Sequence, residues 1–380
     1  MTTRDAIVLG AGPAGAATAI TLARAGLRVR VVERRAAAPP AGFPETLPPA
    51  AKSSLVRLLG PGWADADYCR ESRGNVSAWG GAAPQVQDFF FAPEGCGTCV
   101  DRGGFDAALR NAARAAGAEL VTGARLAACT PTPYGGWRVV LEDGTGVSAP
   151  FVVDASGRRA ALARRLDLGC AQDDGLFAYS LDFRTERPDD DGFTRIEACR
   201  FGWWYSNAVP DRPGRRVVVL HTDRDLPEAR QAATRAGLLH LLAEAPGLRD
   251  FLAAGGHAAE AQDIRGAPAG GAQAHDLPEG LLAVGDAGQA HDPLSSQGLF
   301  HALQSGELAG TVIRQALEQG DRAGPPAQYR RMRAEARQRY LREHARVYGM
   351  ERRWPDHPFW ARRQGASQTV TTEPAKDATS

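Results

Sequence analysis

The stretch from Ala6 to Glu33 constrains this chain more than any other. Ala6-Ile7-Val8-Leu9 is a short β-like run, and Gly10-Ala11-Gly12-Pro13-Ala14-Gly15 breaks it. Ala16 to Ala25 then patterns as a helix ended by Gly26, and Leu27 to Glu33 as a second strand. Strand, glycine turn, helix and a strand closing on an acid make a dinucleotide-binding unit. Gly10 permits the tight turn, Gly12 lets backbone amides approach a pyrophosphate, and Gly15 lets the helix settle on the strand. The helix start, with Pro13 and Ala14, offers positive potential to phosphates. Glu33 stands where a carboxylate accepts ribose hydroxyls. Arg34 is counted with this site; the acid before Arg34 and Arg35 repels a 2′-phosphate, so both read as surface arginines. The same apolar run sits behind a lone Arg4, but its glycine break argues against a signal peptide.

At 380 residues the chain exceeds one ordinary core, so two domains or an enlarged α/β domain are expected. A hydrophobic share of 43% and a net charge of +1 suit a globular protein with no global field for nucleic acid or an anionic membrane. No segment has the length and apolarity of a membrane span, so no integral membrane association is expected. Six cysteines without dense even spacing suit a reducing compartment, so the expected location is cytoplasmic.

Two later segments specify the dinucleotide. Phe151 to Arg158 is a buried-type strand that ends on Asp154 and Gly157, where a second crossover can approach the cofactor. Gly280 to Gly288 delivers Gly285 and Asp286, whose carboxylate can bind a ribityl hydroxyl. The loop His291-Asp292-Pro293-Leu294-Ser295-Ser296-Gln297-Gly298 then starts a helix from about Leu299 to Leu317. A helix N-terminus there stabilises the negative charge of a reduced flavin, which points to FAD.

With these residues the chain resembles the FAD-dependent monooxygenases of the para-hydroxybenzoate hydroxylase type, in the branch shared with flavin-dependent halogenases and geranylgeranyl reductases. Val100 to Leu109 resembles that family's Asp-Arg strand end, which implies that Arg102 contacts FAD. A narrower resemblance is to the LodB- and QhpG-like flavoproteins of tryptophylquinone biogenesis. It rests on Pro44 to Ala51, Gly202-Trp203-Trp204-Tyr205, Asp292 to Gly298 and Glu351 to Trp360. The fold implied is α/β: a Rossmann-like FAD-binding domain of the glutathione reductase type, an antiparallel-sheet substrate domain and a C-terminal helical segment. We place the FAD-binding domain at 1–73, 94–171 and 275–327, the substrate domain at 74–93 and 172–274, the helical segment at 328–363 and a disordered tail at 364–380.

The activity implied is hydroxylation of an aromatic, indole-type substrate through a flavin C4a-hydroperoxide, with NADH or NADPH as electron donor. The substrate is an aromatic small molecule or a Trp-containing polypeptide. Such chemistry needs a dry pocket more than an array of side chains, and the candidate helpers are His291, Asp292 and Glu45. Asp292 reads equally as a cap for the loop before Pro293, and His221 as a surface histidine. In the substrate segment a period of two puts Trp203 and Tyr205 on one strand face and Trp204 on the other. Trp203, Tyr205 and Trp79 are the candidate substrate contacts, with core packing as the competing reading.

Cys96-Gly97-Thr98-Cys99 precedes a strand rather than opening a helix, which disfavours a redox pair, and no metal site is expected. Halogenases of this branch carry a catalytic lysine and a Trp-x-Trp-x-Ile-Pro signature. This chain lacks that signature, and its lysines are Lys52, in an early helix, and Lys376, in the tail. A reductase of isoprenoid double bonds and a flavin-free binding protein are the remaining alternatives. The arginine-dense segment from Gln328 to Arg353 reads as a helix covering the FAD domain and presenting a basic face.

Overall fold

The computed structural model describes residues 2–37, 43–274 and 277–370. At its centre lies a parallel sheet of five strands, in the order Leu281–Ala283, Phe151–Asp154, Ala6–Leu9, Val29–Glu33 and Glu119–Thr122. Ala6–Leu9 and Phe151–Asp154 are buried throughout, because both sheet faces are covered, and this is why they read as unbroken apolar runs. One face packs on the helices Pro13–Arg24, Arg102–Ala115 and Gly298–Gln319. The other packs on a four-stranded sheet that includes Trp137–Leu141 and Gly146–Ala149. This is the Rossmann-like arrangement expected, with its strands, glycine turn and helix in the anticipated order.

A second large sheet carries the other half of the cavity described below. Its main path runs Ala258–Ala259, Leu176–Arg184, Arg215–Asp223, Gly202–Ala208, Phe193–Cys199, Gly74–Ala78 and Gln85–Asp88, with Arg265–Pro268 paired to Leu176–Arg184. All its pairs are antiparallel except Phe193–Cys199 with Gly74–Ala78. The sheet is thus antiparallel as expected, with one parallel pair added. The two strands of that pair are separated by a long excursion through the half built on the parallel sheet, and such a connection imposes no hairpin geometry.

Three segments differ locally from their sequence pattern. The helical run Ala229 to Ala254 is three helices, Pro227–Ala232, Arg235–Leu241 and Pro246–Ala254. Thr234 caps the second through Gly237 N–H, and Pro246 opens the third. The C-terminal helix starts and ends earlier than the arginine-dense segment, at Gly324–Met350, and is followed by Pro358–Val370. The latter corrects the start of the expected tail at 364–380: Arg363 is bound to Asp223 and Asp174, and Gln364 donates to the Glu351 carbonyl, so the polar sequence is anchored. Residues 371–380, Lys376 among them, lie outside the described residues. Among the described residues no helix is long and apolar enough to cross a membrane.

The C-terminal helices do more than cover the parallel sheet. Tyr348, Phe359 and Trp360 are fully buried against Trp79 and Trp203 of the large sheet region, in one aromatic cluster. Tyr329 donates its hydroxyl to the Ala283 carbonyl at 2.8 Å. One helix thereby grips both halves of the molecule.

Candidate active site

A single cavity of about 1390 Å³ runs from the glycine turn to the large sheet. At its first end, Gly10 has φ +111°, and a Cβ there would stand 2.3 Å from the Ala155 carbonyl oxygen. No other residue type fits that approach. Gly15 is equally crowded, against the Gly10 carbonyl, and lies behind the wall rather than on it. By contrast, a Cβ on Gly12, Gly157 or Gly298 would meet nothing within 4 Å, and all three line the cavity. Bare backbone therefore borders open space at two helix starts, Pro13 and Gly298, which is the cradle a pyrophosphate and an anionic flavin ring require.

Glu33 lines the same space. Its carboxylate accepts the Ala11 N–H at 2.8 Å and the Arg35 N–H at 2.9 Å, so it fixes the glycine turn from the cavity wall. Arg34 and Arg35 are exposed but stand on the cavity rim together with Arg125, Arg159 and Arg164. Those five have no ion pair among the described residues. Burial, and then the neighbouring Arg159 and Arg35, hold the Arg34 guanidinium below its ordinary pKa, the mark of a crowded positive rim.

Further along, Arg102 is held by Glu45 at 2.5 Å and by Asp106 at 3.1 Å, at the start of a helix capped by Asp101. Glu45 is on the wall, but its carboxylate is engaged with Arg102. Asp286 is also on the wall, 3.5 Å from Arg158, and burial raises its carboxyl above the usual range. Pro293, Ser296 and Gly298 border the cavity; Gln297 does not. Asp154 is buried behind it, accepting the Ser156 and Leu162 N–H groups at 2.9 and 2.7 Å, so it shapes the second crossover rather than facing the cavity.

The loop helpers separate in the same way. His291 lines the cavity, stacked on Tyr340 with centroids 4.5 Å apart, and accepts from the Gln289 amide at 2.8 Å. Burial, then the nearby His301, Arg337 and Arg158, lower its pKa to about 3, so the ring is neutral. Asp292 is not on the wall. It is 1% exposed, caps Leu294 N–H at 2.8 Å, and takes hydrogen bonds from Tyr348 at 2.8 Å and His344 at 3.2 Å. The expectation that it serves beside the flavin ring is corrected: it is the loop's anchor. Burial alone would raise its pKa, but His344, the Leu294 N–H and Arg363 outweigh that and hold it low. Asp174, Asp292 and His344 bring ligand-type atoms within 4.8 Å of one another, and Arg363, 3.0 Å from Asp174, supplies positive charge there.

On the large sheet Tyr205 lines the cavity, and its hydroxyl donates to the Pro44 carbonyl at 3.3 Å. Trp203 and Trp79, expected against substrate, are instead core residues. Trp203 donates to the Tyr348 hydroxyl at 3.0 Å and Trp79 to the Val347 carbonyl at 2.8 Å. Trp204 points to the opposite face, into the core beneath the short helices. Cys96 and Cys99 are both free, and burial pushes the Cys99 thiol up to about 12, which keeps it from being a thiolate.

A family model described as tryptophan halogenase matches residues 96–377, and an FAD binding domain model matches residues 3–42. The chain belongs to the tryptophan halogenase family. Membership in the tryptophan halogenase family makes it an FAD-dependent enzyme, and the cradle above fits that cofactor. A protein named as an FAD-dependent oxidoreductase, LodB of Marinomonas mediterranea, is 28% identical over 97% of this chain and 98% of its own length. Among solved structures, the flavin-dependent halogenase CmlS superposes with a TM-score of 0.84 at 26% identity, covering 96% of this chain and 68% of its own. The peptidyl tryptophan dihydroxylase QhpG, essential for tryptophylquinone cofactor biogenesis, superposes at 0.69 with 27% identity, over 96% of this chain and 79% of its own.

The family's cavity in this chain holds three residues that the sequence reading gave no part in it. Arg110 lines the wall, donates to the Ala11 carbonyl at 2.9 Å and lies 3.9 Å from Glu33. Its signal was present: Asp106 and Arg110 share the buried stripe of their helix, where charges are unexpected. Arg158 braces the Ala269 and His291 carbonyls at 3.1 Å. His221, read as a surface residue, is buried and lines the cavity.

Proposed function

We propose that the chain is an FAD-dependent monooxygenase that hydroxylates an indole-type ring, a tryptophan side chain of a polypeptide in the favoured form, with NADH or NADPH as electron donor. The observation that carries this is the continuity of one cavity from the FAD cradle to the sheet face bearing Tyr205 and His221. FAD, when bound, would take two electrons from NADH or NADPH and pass them to dioxygen. The residues supply placement. Glu33, Arg102 and Asp286 would hold the dinucleotide, and neutral His291 sits at the helix start where the flavin ring would lie. Tyr205, Ala178 and Val219 form a wall of mostly uncharged surface that excludes water from the reacting ring. Six free cysteines fit a reducing cytoplasm.

Halogenation is the competing reading, since the family and CmlS carry it. Against it stands the lysine count: Lys52 is half-buried and donates to the Glu94 carbonyl at 2.7 Å, and no lysine lines the cavity among the described residues. The likeness to QhpG, a peptidyl tryptophan dihydroxylase, gives the polypeptide form its support. The test is aerobic incubation of the FAD-loaded protein with NADH or NADPH and either free indoles or a Trp-containing polypeptide, read by mass spectrometry. Oxygen-sized mass gain on the polypeptide supports the full reading. Gain on free indoles alone removes its polypeptide part, and halide incorporation overturns it.

A further inference from the structure

The sheet face that closes the cavity carries few polar side chains, and most are engaged. The Tyr205 hydroxyl donates to the Pro44 carbonyl and accepts from the Asn207 amide. Ser180 donates to the Arg265 carbonyl at 3.3 Å, and Arg265 itself pairs with Asp182. His221 differs. It is 4% exposed and lines the cavity, yet neither of its ring nitrogens has a hydrogen-bond partner among the described residues; Nδ1 is fully enclosed, which leaves Nε2 as the nitrogen open to the cavity. An orphaned buried polar group is uncommon in native proteins and calls for a ligand or a water.

The ring is also fixed without hydrogen bonds. His221 pairs across the strands with Trp203 and stacks on its indole, with centroids 3.8 Å apart and planes 12° from parallel. Trp203 is pinned in turn by its N–H to the Tyr348 hydroxyl. Burial lowers the imidazole pKa to about 3, so it is neutral and offers one lone pair and one N–H. Around it Ala178, Val219 and Pro268 present small, flat apolar surface that suits a planar ring.

We propose that His221 is a substrate-binding residue whose Nε2 accepts the N–H of an indole-type ring lying against the Ala178 and Val219 face. The inference rests on the indole reading above and sharpens it, because it names the ring N–H as the recognised group. An indole N–H can only donate, so its site needs an acceptor. Among the described side chains of the sheet face formed with Ala178 and Val219, His221 is the one left free to be an acceptor; His291, whose Nδ1 is also unpartnered, belongs to the loop ahead of the helix Gly298–Gln319. The bond would set which edge of the ring faces the flavin end of the cavity.

The test needs no turnover. FAD-loaded protein is titrated with a blocked Gly-Trp-Gly peptide, with its 1-methyltryptophan counterpart and with free indole, and binding is read from the perturbation of the flavin absorbance. The wild type is expected to bind the N–H peptide roughly tenfold or more tighter than the methylated one. In H221L the N–H peptide weakens by about the same factor and the discrimination collapses, while H221Q restores part of it. FAD affinity, measured in parallel, reports that each variant is folded. Equal binding of both peptides by the wild type, or discrimination retained in H221L, overturns the role of His221 and leaves the indole reading standing. Failure of the wild type to bind either peptide or indole overturns both.

Discussion

The Tyr348 hydroxyl donates to the Asp292 carboxylate at 2.8 Å while accepting the Trp203 N–H at 3.0 Å. Three distant segments meet at that oxygen: the C-terminal helix, the loop that carries His291, and the sheet that carries His221. The helix thus sets the distance between the two walls of the cavity. Replacing Tyr348 with Phe removes both bonds and takes one donor from a buried carboxylate. We expect Y348F to lose about 1–3 kcal/mol of stability, seen as a lower urea midpoint. An unchanged midpoint would contradict the role given to this oxygen.

The two cavity histidines predict a pH dependence of stability. Burial depresses both below the usual histidine value, to about 3. The unfolded chain therefore binds more protons than the folded one between about 3 and about 6.5. Their contribution is fully present above about pH 6.5 and is lost as pH falls, at up to about 1.4 kcal/mol per pH unit for each. H221F should make the slope between pH 6 and pH 4 shallower than in the wild type, measured by denaturation at each pH. An identical slope would mean His221 titrates in the folded protein.

Glu33 holds the Ala11 and Arg35 N–H groups and lines the cavity, where we propose that it takes the ribose of FAD. E33A should weaken FAD binding by about tenfold or more, since about 1–3 kcal/mol attends each buried donor left unpaired. Fluorescence titration of the flavin-free protein with FAD checks this. Undiminished affinity would place the ribose elsewhere.

Arg34, Arg35, Arg125, Arg159 and Arg164 on the cavity rim give FAD binding an electrostatic component. Association of FAD with the flavin-free protein should slow as salt rises past the concentration where the screening length is about 10 Å, near 0.1 M. The double substitution R159Q and R164Q should flatten that dependence in stopped-flow traces. A rate indifferent to salt would leave the rim without a role in capture.

The FAD half of this site was legible because its signals are local. Gly10, Gly12 and Gly15 answer to a turn of a few residues, and Glu33 and Asp286 stand at strand ends whose position the apolar runs already mark. The substrate half was legible only in its alternation, which separated Tyr205 from Trp204 but could not say what packs on each face. Trp203 and Trp79 are core residues because Tyr348 and Trp360, more than a hundred residues later, cover them. Trp203 in turn stacks on His221, and Tyr348 and His344 of the same helix claim Asp292. Arg110 differs: its place on the buried stripe of its helix marks it as unusual in the sequence, but its partner, the Ala11 carbonyl, leaves no mark there.

The central claim is that oxygen, and not halogen or hydride, is delivered to an indole ring in the cavity between Gly12 and His221. The most direct measurement is a single turnover of chemically reduced, FAD-loaded protein with isotopically labelled dioxygen, a Trp-containing polypeptide and bromide together, read by mass spectrometry of the tryptophan. The account predicts labelled oxygen on the tryptophan and no bromine. Bromotryptophan, or an unmodified ring while the flavin reoxidises normally, would contradict it.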